Sequence, residues 1–85
     1  MKDDEISTFT AMQCRLARIG LSISRIELAQ RADVAERTIA DFESGKRKPI
    51  RGTLDKLERV LAAAGAEFLD GDDDAEAGVL FRKRK

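Results

Sequence analysis

The sequence predicts a small, mainly α-helical domain in which four helices precede a short two-stranded β segment. Apolar residues recur every three or four positions in separate segments between residues 8 and 64, which is the period of amphipathic helices. Beyond Gly65 the pattern changes to two short β-type runs that flank a polar, aspartate-rich stretch. Because the chain has 85 residues and 42% of them are hydrophobic, we expect one domain around one core.

The first helix is predicted from Thr8 to Ile19, with Gly20 as its end. Two apolar stripes run along it. The main stripe consists of Phe9, Met12, Leu16 and Ile19. The weaker stripe consists of Thr10, Cys14, Ala17 and Leu21. Two stripes are expected when a helix has partners on two sides, or when it is rich in small residues.

The second and third helices are predicted to be short and to be joined by a tight turn. Ser24 is expected to begin the second helix, because a serine three residues before a glutamate is a capping-box arrangement. The third helix is predicted over residues 36–43, with Ile39 and Phe42 on its inner face. Gly45, which is free to adopt the left-handed conformation, is expected to close it. Together the two helices are predicted to form a helix-turn-helix.

A fourth helix is predicted from about Arg51 to Gly65, after a basic loop that ends in Pro49. The apolar stripe of this helix consists of Leu54, Leu57, Leu61 and Ala64. Two strands follow, at residues 66–69 and 79–82, on either side of an acidic turn.

A two-stranded hairpin is marginally stable alone, so these strands are expected to pack on another element. We expect strands of two subunits to join in one sheet that covers the main stripe of the first helix. The β segment would then serve in dimerisation. The residues expected at this dimer interface are Phe68, Val79, Leu80 and Phe81.

The charges are segregated along the chain although they sum to zero, with 16 basic and 16 acidic side chains. Residues 10–64 carry eleven basic and seven acidic side chains, whereas both flanking segments carry more acidic than basic ones. The predicted organisation is an acidic N-terminal arm (1–9), a helix-turn-helix domain (10–65), and a C-terminal β segment with an acidic loop and a basic tail (66–85). A basic middle segment favours a polyanion as the partner.

The composition excludes most catalytic chemistry. The chain has no histidine and one cysteine, so it has no histidine-based triad, no Cys/His zinc site and no CxxC pair, and we expect neither an enzyme nor a cofactor. No apolar stretch approaches the roughly 18 residues of a membrane span, and the acidic N-terminus is unlike a signal peptide. The single unpaired Cys14 is typical of a reducing compartment. These observations predict a cytoplasmic, nucleoid-associated protein with no membrane partner.

The most specific pattern in the chain runs from residue 23 to residue 49 and reads I-S-R-I-E-L-A-Q-R-A-D-V-A-E-R-T-I-A-D-F-E-S-G-K-R-K-P. From residue 53 it is followed by T-L-D-K-L-E-R-V-L. With these motifs, residues 13–64 resemble the lambda-repressor-like, or XRE-type (Cro/repressor), helix-turn-helix family. The resemblance implies a four-helix lambda-repressor-like domain that binds double-stranded DNA.

Two positions depart from the usual pattern of that family. Asp33 stands where the turn commonly has glycine, and Ala35 stands where serine or threonine commonly caps the recognition helix. Aspartate tolerates the left-handed region better than most residues, so the turn is expected to form at modest cost. Loss of the cap is expected to destabilise the third helix by about 1 kcal/mol.

The resemblance implies that the third helix lies in the major groove of DNA and contacts base edges. Arg37 is expected to make the strongest contact, because a guanidinium donates two hydrogen bonds to guanine O6 and N7. The expected base-contacting residues are Glu36, Arg37, Thr38, Ala40 and Asp41. The alternative is an ordinary charged helix face with internal ion pairs.

The residues expected to bind phosphates lie at two places in the chain. Ser24 and Arg25 begin the second helix, where free backbone amides also favour an anion. The second group consists of Lys46, Arg47, Lys48 and Arg51. The alternative for this basic loop is a solvated turn.

A structural ion pair is also implied by the resemblance. Arg18 on the first helix is expected to pair with Glu43 near the end of the third helix and to fix its angle. Breaking a partly buried pair of this kind strands one charge and costs several kcal/mol. The alternative is that Arg18 contacts a phosphate.

Two further features have less specific interpretations. Asp70, Asp72 and Asp74 alternate as in a calcium-binding loop, but Ala75 replaces the required glycine and Phe81 replaces the bidentate glutamate, so no metal site is expected. An acidic loop that keeps the hairpin soluble is the expected role. Cys14 is expected to be a small buried hydrophobe rather than a redox sensor.

The function predicted from these features is a sequence-specific transcription regulator. A dimeric repressor of bacterial or phage type that occupies a palindromic operator is expected, because occupancy needs only binding. The alternative is an antitoxin that neutralises a partner toxin and autoregulates its operon, since some antitoxins of the family have a helix-turn-helix followed by a short β segment. A neighbouring toxin-like reading frame would favour the antitoxin.

Overall fold

The computed structural model describes residues 9–73 and 76–83. Four helices come first: α1 (Ala11–Gly20), α2 (Arg25–Ala32), α3 (Glu36–Glu43) and α4 (Arg51–Ala63). The strands β1 (Ala66–Leu69) and β2 (Gly78–Phe81) follow and form one antiparallel sheet. The predicted fold class, mainly α with a short two-stranded β segment, is confirmed.

The turns that join the helices have the predicted local geometry. Asp33 caps α2 in the left-handed region, with φ 59° and ψ 51°, so an aspartate does adopt the conformation that glycine commonly supplies. Gly45 has φ 81° directly after the end of α3. The capping box predicted for α2 is half formed: the Ser24 hydroxyl accepts a hydrogen bond from the Glu27 amide, while the Glu27 carboxylate pairs with Arg31 instead.

The core lies where the four helices meet beneath the hairpin. Its largest fully buried apolar side chains are Leu28, Ile39, Leu54, Leu57 and Leu61. Burying one such side chain contributes about 1.5–3 kcal/mol, so these positions supply much of the free energy that holds the helices together. Three of them belong to the predicted stripe of α4, whose inward face is therefore as expected.

Of the two stripes predicted on α1, the weaker one faces the core. Met12, Leu16 and Ile19 are 40%, 47% and 60% exposed, whereas the buried residues of α1 are Gln13, Cys14 and Ala17. The short side chains of Cys14 and Ala17 let α3 and α4 pack closely on α1. The weaker stripe is therefore the one that faces the core.

The start of α1 also differs from the prediction. The helix begins at Ala11 rather than Thr8, which lies outside the described residues, and Thr10 and Gln13 form a complete capping box. Phe9 consequently precedes the helix. It is buried against Phe42, with ring centroids 5.8 Å apart, and against the edge of Phe68 at 5.0 Å.

The hairpin packs on α1 and α4 of its own chain. Ala66 lies opposite Phe81 and Phe68 opposite Val79, so these four side chains share the inner face of the sheet. The Phe81 ring lies directly over Gly20, where an added Cβ atom would clash with the Cζ atom of the ring. Packing within one chain thus supplies the support that a hairpin needs, without a second subunit.

One buried side chain attaches the hairpin to α1. The Gln13 amide nitrogen donates hydrogen bonds to the backbone oxygens of Leu69 (2.8 Å) and Gly78 (2.9 Å), at the facing ends of the two strands. Its amide oxygen accepts a bond from the Thr10 backbone. All the polar groups of this side chain are therefore used inside the fold.

Candidate nucleic-acid interface

The outer face of α3 is held away from the core by the residues on its inner face. Ile39 and Phe42 are buried, which leaves Glu36 and Arg37 exposed at the start of the helix. Thr38, Ala40 and Asp41, the other expected base-contacting residues, are half-buried. Ala35 caps the helix without a side-chain hydrogen bond, so the first amides of α3 stay free of any capping side chain.

Arg37 is highly exposed, and its ion-pair partner in the described part of the chain is Asp41. Its side chain is 80% exposed, and its Nε lies 3.6 Å from the Asp41 carboxylate one turn later. An exposed i,i+4 pair contributes about 0.3–0.5 kcal/mol. The internal ion pair that was the alternative for this face therefore exists, and it is weak.

The start of α2 and the outer face of α3 border the same cleft. The cleft has a volume of about 640 Å³, and its lining includes Ser24, Arg25, Glu36 and Ala40. Ser24 and Arg25 are both exposed, and the Ser24 oxygen that accepts the capping bond keeps its hydroxyl hydrogen available as a donor. A predicted phosphate-binding pair thus lies beside the predicted base-contacting helix.

The basic loop is fixed to the end of α3 by backbone hydrogen bonds. The Asp41 carbonyl accepts bonds from the amides of Lys46 (2.9 Å) and Arg47 (3.2 Å) and from the Ser44 hydroxyl (3.1 Å). The predicted cations of this segment, Lys46, Arg47, Lys48 and Arg51, are all exposed, and none forms an ion pair within the described ranges 9–73 and 76–83. Positive charge therefore lies at the C-terminal end of α3 as well as along its side.

Arg18 and Glu43 form a buried, bidentate ion pair between α1 and α3. Arg18 Nε and Nη2 donate to the two carboxylate oxygens of Glu43 at 2.9 and 2.8 Å, and the side chains are 13% and 4% exposed. Arg18 also donates to the Ile23 carbonyl at 3.3 Å. The hydrogen bond to Glu43 raises the pKa of the Arg18 guanidinium above its ordinary value. With its donors used in this way, Arg18 is a poor candidate for the alternative role of binding phosphate.

Cys14 contributes to the same buried cluster. Its thiol donates to Glu43 Oε2 at 3.4 Å and has no exposed surface. Burial, together with the negative charge of Glu43, raises the pKa of the thiol far above its ordinary value. Since the thiolate is the reactive form of cysteine, this environment is typical of a structural residue.

The four residues expected at a dimer interface fall into two groups. Phe68 and Val79 are half-buried against the core of their own chain and are not available as an outer surface. Leu80 and Phe81 are exposed large apolar residues, although Phe81 shares the inner face of the sheet. Among the hairpin side chains, Leu80 and the exposed part of Phe81 are therefore the apolar surface that faces solvent.

The acidic turn offers no assembled ion site in the part of the chain that the structure describes. Asp70 and Asp72 are exposed, while Asp74 and Ala75 lie outside the described residues. Within residues 9–73 and 76–83, no three cysteine or carboxylate side chains come together as metal ligands. Over the same ranges, no helix combines the length and apolarity needed to cross a bilayer.

Sequence reasoning missed two residues of α1 that the fold brings to important places. Gln13 was not recognised as the link to the hairpin, although the T-x-x-Q spacing with Thr10 signalled a capping box. Arg15 was not recognised at the interface, yet it lines the cleft beside Ser24 and Arg25. Its position depends on the packing of α1 against α2 and α3, which no local pattern encodes.

Comparison with known families agrees with this arrangement. The Helix-turn-helix family model matches residues 15–68, more than half of the chain, from the middle of α1 to β1. No curated protein is significantly similar to the chain. The match includes α2, α3 and the basic loop, which carry the cleft and the exposed cations described above. The chain therefore belongs to the XRE-type, lambda-repressor-like helix-turn-helix family of DNA-binding regulators.

Proposed function

We propose that this protein is a dimeric repressor that recognises a palindromic operator and acts by occupying it. One observation carries the proposal: exposed cations border the outer face of α3 on two sides, through Arg25 in the cleft and through the basic loop at residues 46–48. Phosphates of the two strands flank the major groove, so this spacing of charge suits a helix inserted between them. Repression by occupancy needs no further surface or domain.

Within this proposal, α3 reads the base sequence. Arg37 donates two hydrogen bonds to guanine, which contributes about 1–3 kcal/mol of discrimination against another base. Glu36 or Asp41 accepts a bond from a cytosine amino group. Because each of these carboxylates also repels phosphate, they exclude wrong sites more than they add affinity. Thr38 and Ala40 are half-buried and contribute shape and apolar contacts at the same face.

The phosphate contacts supply most of the affinity. They are assigned to Ser24 and Arg25 at the start of α2 and to the four cations of the basic loop and the start of α4, namely Lys46, Arg47, Lys48 and Arg51. If about four phosphates are neutralised per subunit, the logarithm of a dimer's affinity falls against the logarithm of salt concentration with a slope of about −7.

The dimer places two copies of α3 about one helical turn of DNA apart, which matches two half-sites of a palindrome. Exposed apolar surface is available for such a contact on the hairpin, at Leu80 and Phe81, and on α1, at Met12, Leu16 and Ile19. Burial of these residues against a second copy would remove apolar area from water. Sedimentation equilibrium of the full chain, with Leu80→Ser as the variant, tests whether the hairpin carries the contact.

The exposed stripe of α1 also favours the second candidate, an antitoxin that binds a toxin and autoregulates its operon. Three large apolar side chains on one helix face are unusual for a surface that touches only water. A protein partner would cover them. Co-purification of the protein with the product of an adjacent toxin-like reading frame supports this function. Failure of any such product to bind the protein contradicts it.

In vitro selection from fragmented genomic DNA tests the leading proposal directly. The wild type and Arg37→Ala are used in parallel at low and moderate salt. Arg59→Ala serves as the matched control, because Arg59 is an exposed arginine on α4 outside the cleft and the basic loop. We expect a two-fold symmetric site for the wild type and for the control, with relaxed preference at one base pair per half-site for Arg37→Ala.

The opposite outcome is equally clear. If the wild type recovers only salt-sensitive, unselective DNA, then α3 reads no sequence and the repressor proposal fails. If a symmetric site is recovered and Arg37→Ala selects it unchanged, the operator proposal stands, but the role assigned to Arg37 is wrong.

A further inference from the structure

The cleft beside α3 is lined from three elements, and one of them contributes a cation with no assigned role. Ser24 and Arg25 come from the start of α2, and Glu36 and Ala40 come from α3. From α1 comes Arg15, an exposed arginine one turn before Arg18. The cleft of about 640 Å³ is open to solvent along α3, so a group of an extended ligand can reach it without a change in the fold.

The charges in this cleft do not cancel. Arg18 and Glu43 also line it, but they satisfy each other through two hydrogen bonds. Arg15 and Arg25 form no ion pair with any residue in the described ranges 9–73 and 76–83. Two free guanidinium groups therefore face one remaining carboxylate, that of Glu36. The excess charge in the cleft is positive and suits an anion.

The position of Arg15 is fixed by the same contacts that fix α3. It lies on α1, and the Arg18–Glu43 pair attaches that helix to the end of α3. Exposed Ile19 and Ile26 also line the cleft and keep part of its wall apolar. A charge–charge contact is stronger beside apolar groups than in open water. A guanidinium on a rigid helix next to such a wall is well placed for a phosphate oxygen.

We propose that Arg15 is a phosphate-binding residue, and that together with Arg25 and the Ser24 hydroxyl it binds one phosphate group of the DNA backbone in this cleft. The inference rests on the proposed function and adds to it a contact between α1 and the DNA backbone. A backbone contact carries no base information, so its loss weakens binding to all sequences alike. It also lowers the number of counterions released on binding.

Fluorescence anisotropy tests the assignment on two duplexes, the selected operator and a random sequence of equal length. The full-length wild type, Arg15→Ala, Arg15→Lys and Arg59→Ala are titrated over a range of salt concentrations. For Arg15→Ala we expect weaker binding to both duplexes and a salt slope shallower by about 0.9 per bound subunit. Arg15→Lys keeps most of the slope, because it keeps the charge. Arg59→Ala keeps the wild-type slope.

A wild-type salt slope for Arg15→Ala on both duplexes overturns the assignment. So does an equal loss for Arg59→Ala, because any surface charge would then have the same effect. The random duplex separates failure of this assignment from failure of the proposed function. If the wild type prefers no sequence, the operator proposal fails. The salt slopes of the wild type and Arg15→Ala on the random duplex can still be compared, and this comparison tests the phosphate contact. Arg15 is exposed, and thermal melting verifies that its variants fold.

A last comparison separates DNA phosphate from a free phosphate ligand. Inorganic phosphate is added to the preformed complex, with sodium chloride at matched ionic strength as the control. We expect equal displacement of DNA by the two salts, since the cleft takes a phosphate presented by the duplex. If inorganic phosphate displaces DNA more strongly from the wild type than from Arg15→Ala, the cleft binds a free anion and the assignment to the DNA backbone is overturned.

Discussion

The third helix, α3, and the C-terminal hairpin are both attached to α1 by a buried polar side chain, but the two attachments differ in charge. Arg18 of α1 holds α3 through a bidentate ion pair with Glu43. Gln13 of α1 holds the hairpin through neutral hydrogen bonds to the carbonyls of Leu69 and Gly78. The first link joins two charges, and the second joins an amide to two backbone groups.

The difference sets how each region depends on its link. Removing one member of a buried ion pair leaves the other charge without a partner in the protein interior, where water does not solvate it, and this destabilises the whole domain. Removing a neutral amide leaves two carbonyls at the rim of the sheet, where water reaches them more easily. We therefore expect the angle of α3 to be coupled to global stability, and the hairpin to open locally.

The largest effect is expected for the link to α3. Arg18→Ala leaves the Glu43 carboxylate buried, with the Cys14 thiol as its one remaining donor among residues 9–73 and 76–83, so we expect a loss of about 3–5 kcal/mol in the free energy of unfolding. Urea denaturation followed by circular dichroism measures it. The control is Arg31→Ala, which breaks the exposed pair with Glu27 and is expected to cost about 0.3–0.5 kcal/mol.

A second variant checks that charge is the cause. In the double variant Arg18→Met, Glu43→Leu no buried charge remains, and we expect most of the lost stability to return. A double variant as unstable as Arg18→Ala would show that packing around Arg18, rather than the stranded carboxylate, holds α3 in place.

A smaller and more local effect is expected for the link to the hairpin. Gln13→Leu removes both donors and the acceptor for the Thr10 amide, so we expect a cost of about 1–3 kcal/mol. Amide hydrogen exchange is expected to accelerate in β1 and β2 before it does in α3. Gln13→Glu keeps the acceptor but loses the donors, and we expect it to release the hairpin in the same way.

Uniform acceleration of exchange across all elements would contradict the comparison, because the hairpin and α3 would then open together. Unchanged exchange in the strands would show that the packing of Phe68 and Phe81, without the Gln13 amide, is sufficient to hold the sheet on α1.

The smallest effect is expected where the hairpin meets α4. Partial burial, together with the nearby charges of Asp55 and Asp70, raises the pKa of Glu58 above its ordinary value of about 4.3. The folded state therefore favours the protonated form, and this stability is present at low pH and is lost as pH rises through the folded-state pKa.

Glu58→Gln is accordingly expected to be more stable than the wild type at pH 7, by at most about 0.5 kcal/mol for this partly exposed group. The difference is expected to vanish at about pH 3, more than a unit below the ordinary glutamate pKa of about 4.3, where Glu58 is almost entirely neutral in both states. Thermal melting at both pH values measures it. Glu67→Gln, which removes an exposed pair with Arg82, is expected to bring no gain. An equal gain at both pH values for Glu58→Gln would exclude the charge as its cause.

Much of the helix-turn-helix was predictable because its signals are local. The bounds of α3, the left-handed Asp33 and Gly45, and the uncapped Ala35 depend on backbone preferences within a few residues. The stripe of α4 was equally clear, since its leucines have no competing apolar face. The inward positions of Ile39 and Phe42 were enough to predict which residues lie on the outer face of α3.

The faces of α1 were not predictable in the same way. Its two stripes compete, and the sequence does not show that the stripe with the larger side chains of Met12, Leu16 and Ile19 stays exposed in the single chain. Which stripe turns inward depends on how closely α3 and α4 approach, and the small Cys14 and Ala17 allow a closer approach.

The sequence by itself determined the helices, the turns and the charge distribution of this protein, because each depends on residues close together in the chain. Tertiary structure decided which face of α1 is buried, that Gln13 reaches the hairpin, and that Arg15 joins Ser24 and Arg25 in one cleft. These contacts join residues far apart in sequence, and their free energy comes from filling space and satisfying buried polar groups across elements. Local patterns cannot encode that requirement, since it exists only once the helices have packed.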